Sequence, residues 1–113
     1  MVLALNGCPD CNNKQFGSSV LVDIEKKEAL KQPSFYTIGH FSKFLPPNSV
    51  RIGHKVDKEV ENLFVLTMKR PDNGTVVVVI NQNNSTVSLQ INDSKTHLSH
   101  LIPERSIQTF IWH

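Results

Sequence analysis

Few residues in this 113-residue chain could do chemistry by type and spacing. Cys8-Pro-Asp-Cys11 is the one spacing motif. A Cys-x-x-Cys pair works as a redox couple when a helix starts at its first Cys within a βαβ unit. Pro9, Asp10 and Asn12-Asn13-Lys14 predict a loop there instead. Zinc would need two further ligands at matching spacing, and none is near in sequence. Cys8 and Cys11 therefore read as loop thiols or a local disulfide, ahead of a metal or redox role. Among the histidines His40, His54, His97, His100 and His113, only His97 and His100 are close in sequence. Three apart on a strand, they point to opposite faces and make a poor metal pair. No metal or cofactor is expected.

The carboxylates are Asp10, Asp23, Glu25, Glu28, Asp57, Glu59, Glu61, Asp72, Asp93 and Glu104. All but Asp23 read as turn or surface residues. Glycoside hydrolysis needs one carboxylic acid and one carboxylate flanking a sugar, with environments that separate their pKa values. No pair here sits in such an apolar setting. The sequence contains no GxSxG, phosphate loop or HExxH. The residues by themselves thus show no catalytic set.

Four N-x-Ser/Thr sequons stand in or beside polar turns: Asn73-Gly-Thr75, Asn83-Asn-Ser85, Asn84-Ser-Thr86 and Asn92-Asp-Ser94. Asn73, Asn83, Asn84 and Asn92 are the candidate glycan acceptors, as in secreted or lysosomal proteins. Yet Met1-Val-Leu-Ala-Leu-Asn6 lacks the charged n-region and the length of a signal peptide. An N-terminally incomplete chain would reconcile the two. A net charge of +2, with 12 scattered Lys and Arg, gives no basic run for nucleic acid. No apolar stretch approaches the length of a transmembrane segment.

The elements that must position these residues centre on Gly74–Asp93. Val76-Val-Val-Val-Ile80 is a continuous β-branched run, read as a strand covered on both faces. Asn81–Ser85 is a polar turn cluster. Val87, Leu89 and Ile91 then alternate with Ser88, Gln90 and Asn92, which predicts a strand with one wet face. A short loop between the two runs predicts a β-hairpin. Before it, Met1–Asn6 and Val20–Ile24 read as short strands, and charged Glu25–Gln32 as a helical turn. Pro33 opens a helix as its first residue. Phe35, Tyr36, Ile38, Phe41, Phe44 and Leu45 form a broad apolar stripe on it, and Pro46-Pro47 stop it. That stripe needs a large partner. Strands are predicted over Val50–Val56, Glu61–Lys69, Thr75–Asn81, Thr86–Asn92, His97–Ile102 and Ser106–Trp112, with turns such as Pro71-Asp-Asn-Gly74. This pattern predicts an antiparallel β-sandwich or barrel, with a boundary near residue 48.

Lys31-Gln-Pro-Ser-Phe-Tyr-Thr-Ile-Gly-His-Phe-Ser-Lys-Phe-Leu-Pro46-Pro47 closely resembles a segment of the lysosomal glucosylceramidases, the acid β-glucosidases of glycoside hydrolase family 30. Leu3-Ala-Leu-Asn6 and Val20-Leu-Val-Asp-Ile24 resemble that family's last barrel strands. Ser49-Val-Arg-Ile-Gly53, Gly74–Asn81 and Ser106–Trp112 resemble its C-terminal sandwich strands. The resemblance implies a mainly β chain, in which an antiparallel β-sandwich (residues 49–113) follows the last strand-helix piece of a (β/α)8 barrel (residues 1–48). It implies that the helix from Pro33 packs on the rest of that barrel. It also implies that the family's acid/base and nucleophile glutamates lie upstream of every residue here. Gly7-Cys-Pro-Asp-Cys11 stands where the family has a Gly-Gly-Pro-Asn-Trp-like loop lining the active-site entrance. Gln15 and Phe16 are the implied substrate-binding residues of that loop.

The expectation is therefore the C-terminal portion of a retaining β-glucosidase that cleaves glucosylceramide to glucose and ceramide, inactive alone. For the full-length relative the resemblance implies a lysosomal or secretory location, a saposin-type activator and an anionic membrane surface. The alternative is a stand-alone, non-catalytic sandwich binding a protein partner or carbohydrate.

Overall fold

The computed structural model describes residues 2–4 and 18–113, and the chain divides into two units, Met1–Gly39 and His40–His113. In the first unit, β1 (Val2–Ala4) runs parallel to β2 (Val20–Asp23), with Val2 opposite Val20. A parallel pair requires a crossover connection, as in barrels. β2 then pairs antiparallel with β3 (Glu28–Lys31), Asp23 opposite Glu28. The tight turn between them is closed by Asp23, whose Oδ1 accepts the Lys26 backbone N–H at 3.0 Å. Lys27 enters the left-handed region there, at φ 54°.

Two expectations for this part are corrected. Glu25–Gln32 is no helical turn but the turn and return strand of a hairpin, because pairing with β2 supplies backbone partners that an isolated charged turn cannot. All four residues of β3 are exposed. The helix α1 (Pro33–Ser42) begins at Pro33 as expected but ends before Leu45. One further i→i−4 bond, Leu45 N–H to Phe41 C=O at 3.0 Å, carries the turn to the Pro46-Pro47 stop. α1 buries none of its residues, and Tyr36 and Ile38 remain 58% and 55% exposed.

The second unit is a sandwich. One sheet has the order β4 (Val50–Arg51), β5 (Leu63–Lys69), β6 (Thr75–Asn81), β9 (Ser106–Trp112). The other pairs β7 (Val87–Asn92) with β8 (His97–Ile102). All pairings in this unit are antiparallel. Alternation decides the faces. Val77 and Val79 of β6 point inward with Leu63 and Val65 of β5 and Phe110 and Trp112 of β9. They meet Leu89 and Ile91 of β7 and Ile102 of β8 to form the core. Val76 and Val78 on the opposite face are also buried, so the valine run is a central strand covered on both sides, as expected. Ser88, Gln90 and Asn92 are the wet face of β7.

The expected hairpin of β6 with β7 does not form. β5 occupies one edge of β6 and β9 the other, over its whole length, so no edge is left for β7. Residues 82–86 instead carry the chain to the second sheet. The expected strand Val50–Val56 shrinks to Val50–Arg51, extended only by an Ile52 N–H to Thr67 C=O bond of 3.0 Å. The following charged segment Lys55–Glu59 is exposed and has no sheet partner. The Arg70–Gly74 turn forms where Pro71-Asp-Asn-Gly74 predicted it. Asn73 takes φ 64°, and a Cβ at Gly74 would lie 2.9 Å from Asp72 Oδ1. No helix among the described residues is long and apolar enough to cross a membrane.

Candidate functional site

Cys8, Cys11, Gln15 and Phe16, the loop thiols and implied entrance-loop contacts, lie outside the described residues. Among the described residues no three His, Cys, Asp or Glu side chains come together as a metal set. Glu25, Glu28, Glu59, Glu61 and Glu104 are all exposed. Among the described residues Asp23 is the buried carboxylate, and its partners are the Lys26 N–H and, at 3.9 Å, the Lys26 ammonium. It serves the β2–β3 turn.

The polar chemistry of the sandwich is concentrated at its two ends. At one end stands Asn81, the last residue of β6 and only 1% exposed. Its Nδ2 faces the carbonyls of Ser85 at 2.9 Å, Ile102 at 3.1 Å and Pro103 at 2.9 Å. Its Oδ1 accepts the Asn83 N–H at 3.0 Å. Carbonyls only accept, so the amide nitrogen is the atom that meets them. One side chain thereby ties the crossover between sheets to the turn between β8 and β9. The sequence pattern placed Asn81 both at the end of the Thr75–Asn81 strand and at the start of the polar turn cluster. Its burial is decided by the segments that pack around that strand end.

At the other end Asp72 gathers the β5–β6 turn and the chain's last residue. Its Oδ2 lies 2.9 Å from Arg70 Nη2 and 3.4 Å from His113 Nε2, while Oδ1 accepts the Gly74 N–H at 3.0 Å. The Gly74 N–H, with His113 and Arg70 behind it, holds the Asp72 carboxyl below its ordinary range. Asp93 is lowered likewise, first by Trp112 Nε1 donating to it at 3.3 Å and then by the Ser94 N–H and hydroxyl. Every histidine has a local structural contact. His40 Nδ1 shares a 2.8 Å hydrogen bond with Thr109 Oγ1, and His54 Nδ1 one of 3.2 Å with Thr67 Oγ1. His97 meets its cross-strand neighbour Asn92, and the His100 ring stands edge-on to Phe110.

The sequon asparagines fall in different settings. Asn73 is exposed at the β5–β6 turn, but its sequon threonine, Thr75, is buried and takes a 3.3 Å bond from Lys69 Nζ. Asn83 is half-buried, and its Nδ2 donates to Glu61 C=O at 2.9 Å. Asn84 is exposed, with Oδ1 accepting Arg105 Nε at 2.7 Å. Asn92 is exposed at the end of β7.

Residues 48–110 match the glycosyl hydrolase family 30 β-sandwich domain, and residues 1–45 match the TIM-barrel domain of the same family. The chain belongs to glycosyl hydrolase family 30. Within the family it is 41% identical to the mouse lysosomal acid glucosylceramidase, over 97% of this chain and 22% of that one. It is 39% identical to a putative glucosylceramidase of Caenorhabditis elegans, over 96% of this chain and 22% of that one. The chain thus spans about a fifth of the length of these relatives. Among solved structures, SrfJ from Salmonella typhimurium superposes with a TM-score of 0.89 at 20% identity, covering 98% of this chain and 24% of that one. The endo-β1,6-glucanase BT3312 superposes at 0.85 and 21% identity, over 98% and 25% of the two chains. These two likenesses establish the fold alone. A mainly β family 30 chain, read from the sequence as the C-terminal portion of such an enzyme, is what the matches support.

Proposed function

We propose that these residues are the C-terminal portion of a retaining β-glucosidase that hydrolyses glucosylceramide to glucose and ceramide. The observation that carries this reading is the 41% identity to a lysosomal acid glucosylceramidase along 97% of the chain. Residues 1–48 are the last strand-helix piece of the barrel and residues 49–113 its sandwich, a division supported by the two family-model matches. The exposed Phe35 and Ile38, three apart on one side of α1, are then part of the face that meets the rest of the barrel. Location in the lysosome, with an anionic membrane surface and a saposin-type activator as partners, belongs to the whole enzyme.

Retaining hydrolysis needs a nucleophile and an acid/base carboxyl about 5 Å apart across the scissile bond. The exposed, scattered glutamates of this chain offer no such pair. Residues 1–113 alone are therefore inactive, and their part in catalysis is to complete the barrel wall and, through the loop holding Gln15 and Phe16, its entrance. The test is turnover of a fluorogenic β-glucoside by purified residues 1–113 and by the longest natural product of the same gene. Activity is expected only in the latter. Turnover by residues 1–113 that a covalent β-glucosidase inhibitor abolishes would overturn the assignment.

A further inference from the structure

We propose that Asn73-Gly74 is a latent deamidation site, and that the Asp72 carboxylate holds it closed by binding the Gly74 N–H. Asparagine followed by glycine is the pair most prone to this change, because no side chain hinders the attacking nitrogen. The pair occurs twice, at Asn6-Gly7 and Asn73-Gly74. The first lies outside the described residues.

The step is intramolecular. The Gly74 nitrogen attacks Asn73 Cγ. An N–Cγ bond forms, the Cγ–Nδ2 bond breaks, and ammonia leaves with the Gly74 proton. Water then opens the cyclic imide at either carbonyl and leaves aspartate or isoaspartate at position 73. Asn73 is exposed at its turn, so water reaches it. The nitrogen is the constrained partner. Gly74 is buried, and its N–H donates to Asp72 Oδ1 at 3.0 Å. Arg70 Nη2 at 2.9 Å and His113 Nε2 at 3.4 Å fix the same carboxylate through Oδ2. An N–H bound to an anion gives up its proton less readily, since the amide anion would face a like charge. The Gly74 bond also holds the Asp72 carboxyl below its ordinary range, and a carboxylate so placed is a poor base for an amide proton. The turn backbone adds to the hold. Asn73 N–H donates to Arg70 C=O at 3.1 Å and Arg70 N–H donates to Gly74 C=O at 2.8 Å, around Asn73 at φ 64°. Isoaspartate would add a methylene to the backbone between these bonds and weaken the β5–β6 turn.

The chain is made in bacteria, so that Asn73 carries no glycan, and is incubated folded at pH 7 in 18O-labelled water. Peptide mapping reads the label that ring opening adds at position 73. Wild type should react several times more slowly folded than in urea. Asp72→Ala should raise the folded rate roughly fivefold or more, the effect of one lost charge-assisted hydrogen bond. In urea the two chains should react alike. Asn81→Ala, which loosens the opposite end of β6, should leave the folded rate at the wild-type value below its melting temperature. A folded wild type reacting as fast as in urea, an Asp72→Ala rate unchanged or lowered, or equal acceleration by Asn81→Ala would overturn the inference.

Discussion

Replacing Asn81 should cost more than any other single polar change in the sandwich. In Asn81→Ala the carbonyls of Ser85, Ile102 and Pro103 lose a shared donor, and the Asn83 N–H loses its acceptor. Two amide protons serve three carbonyls, so the sum is smaller than four independent bonds. The bond to Ile102 C=O is fully buried, and leaving it unmade costs about 1–3 kcal/mol. The part-buried contacts, which water can replace, add roughly 0.5–1 kcal/mol each. A total of about 2–5 kcal/mol follows, a large share of a domain stability of about 5–15 kcal/mol. Asn81→Asp keeps the shape and reverses the chemistry. An ionised carboxylate would face three carbonyls with no proton to offer. Burial among acceptors would raise that carboxyl above its unfolded value. The folded state would then bind protons more readily, and the variant should gain stability as pH falls from 7 toward 4. Thermal melts of the whole chain at several pH values measure this, with Gln90→Ala on the wet face of β7 as the control. Asn81→Ala melting with the control, or Asn81→Asp behaving as wild type at pH 7, would refute the reasoning.

Val78 is 1% exposed on the central strand, so Val78→Asp should cost about 4 kcal/mol or more in a urea melt, while Ser88→Asp on exposed β7 should stay within about 0.5 kcal/mol. Equal midpoints would mean that β6 is not enclosed. Asp72 is held below its ordinary range by Gly74, His113 and Arg70, so it contributes stability above its unfolded value near pH 3.8 that is lost as pH falls through its folded value. Asp72→Asn should therefore lower the melting temperature at pH 7 and converge with wild type at pH 2, and a constant gap across that range would count against the clamp.

The existence of most strands, the doubly covered valine run and the Arg70–Gly74 turn were legible because each follows from local patterning. β-branched runs, period-2 alternation and an Asn-Gly turn carry their own physical preference. The motif from Lys31 to Pro47 made the family legible too, although none of it is catalytic. Pairing was not legible. Whether β7 joins β6 depends on β5 and β9, one of which arrives 25 residues later, from Ser106 against Asn81. Charged Glu25–Gln32 became a hairpin for the same reason, since a partner strand outweighs weak local preference. The role of Asn81 lay furthest from the sequence. Asn81 stands where the expected strand Thr75–Asn81 meets the polar cluster Asn81–Ser85, and composition gives no sign that this one residue is sealed in the interior. Only the crossover between sheets brings Ser85, Ile102 and Pro103 to one point and leaves their carbonyls in need of the donor that Asn81 supplies.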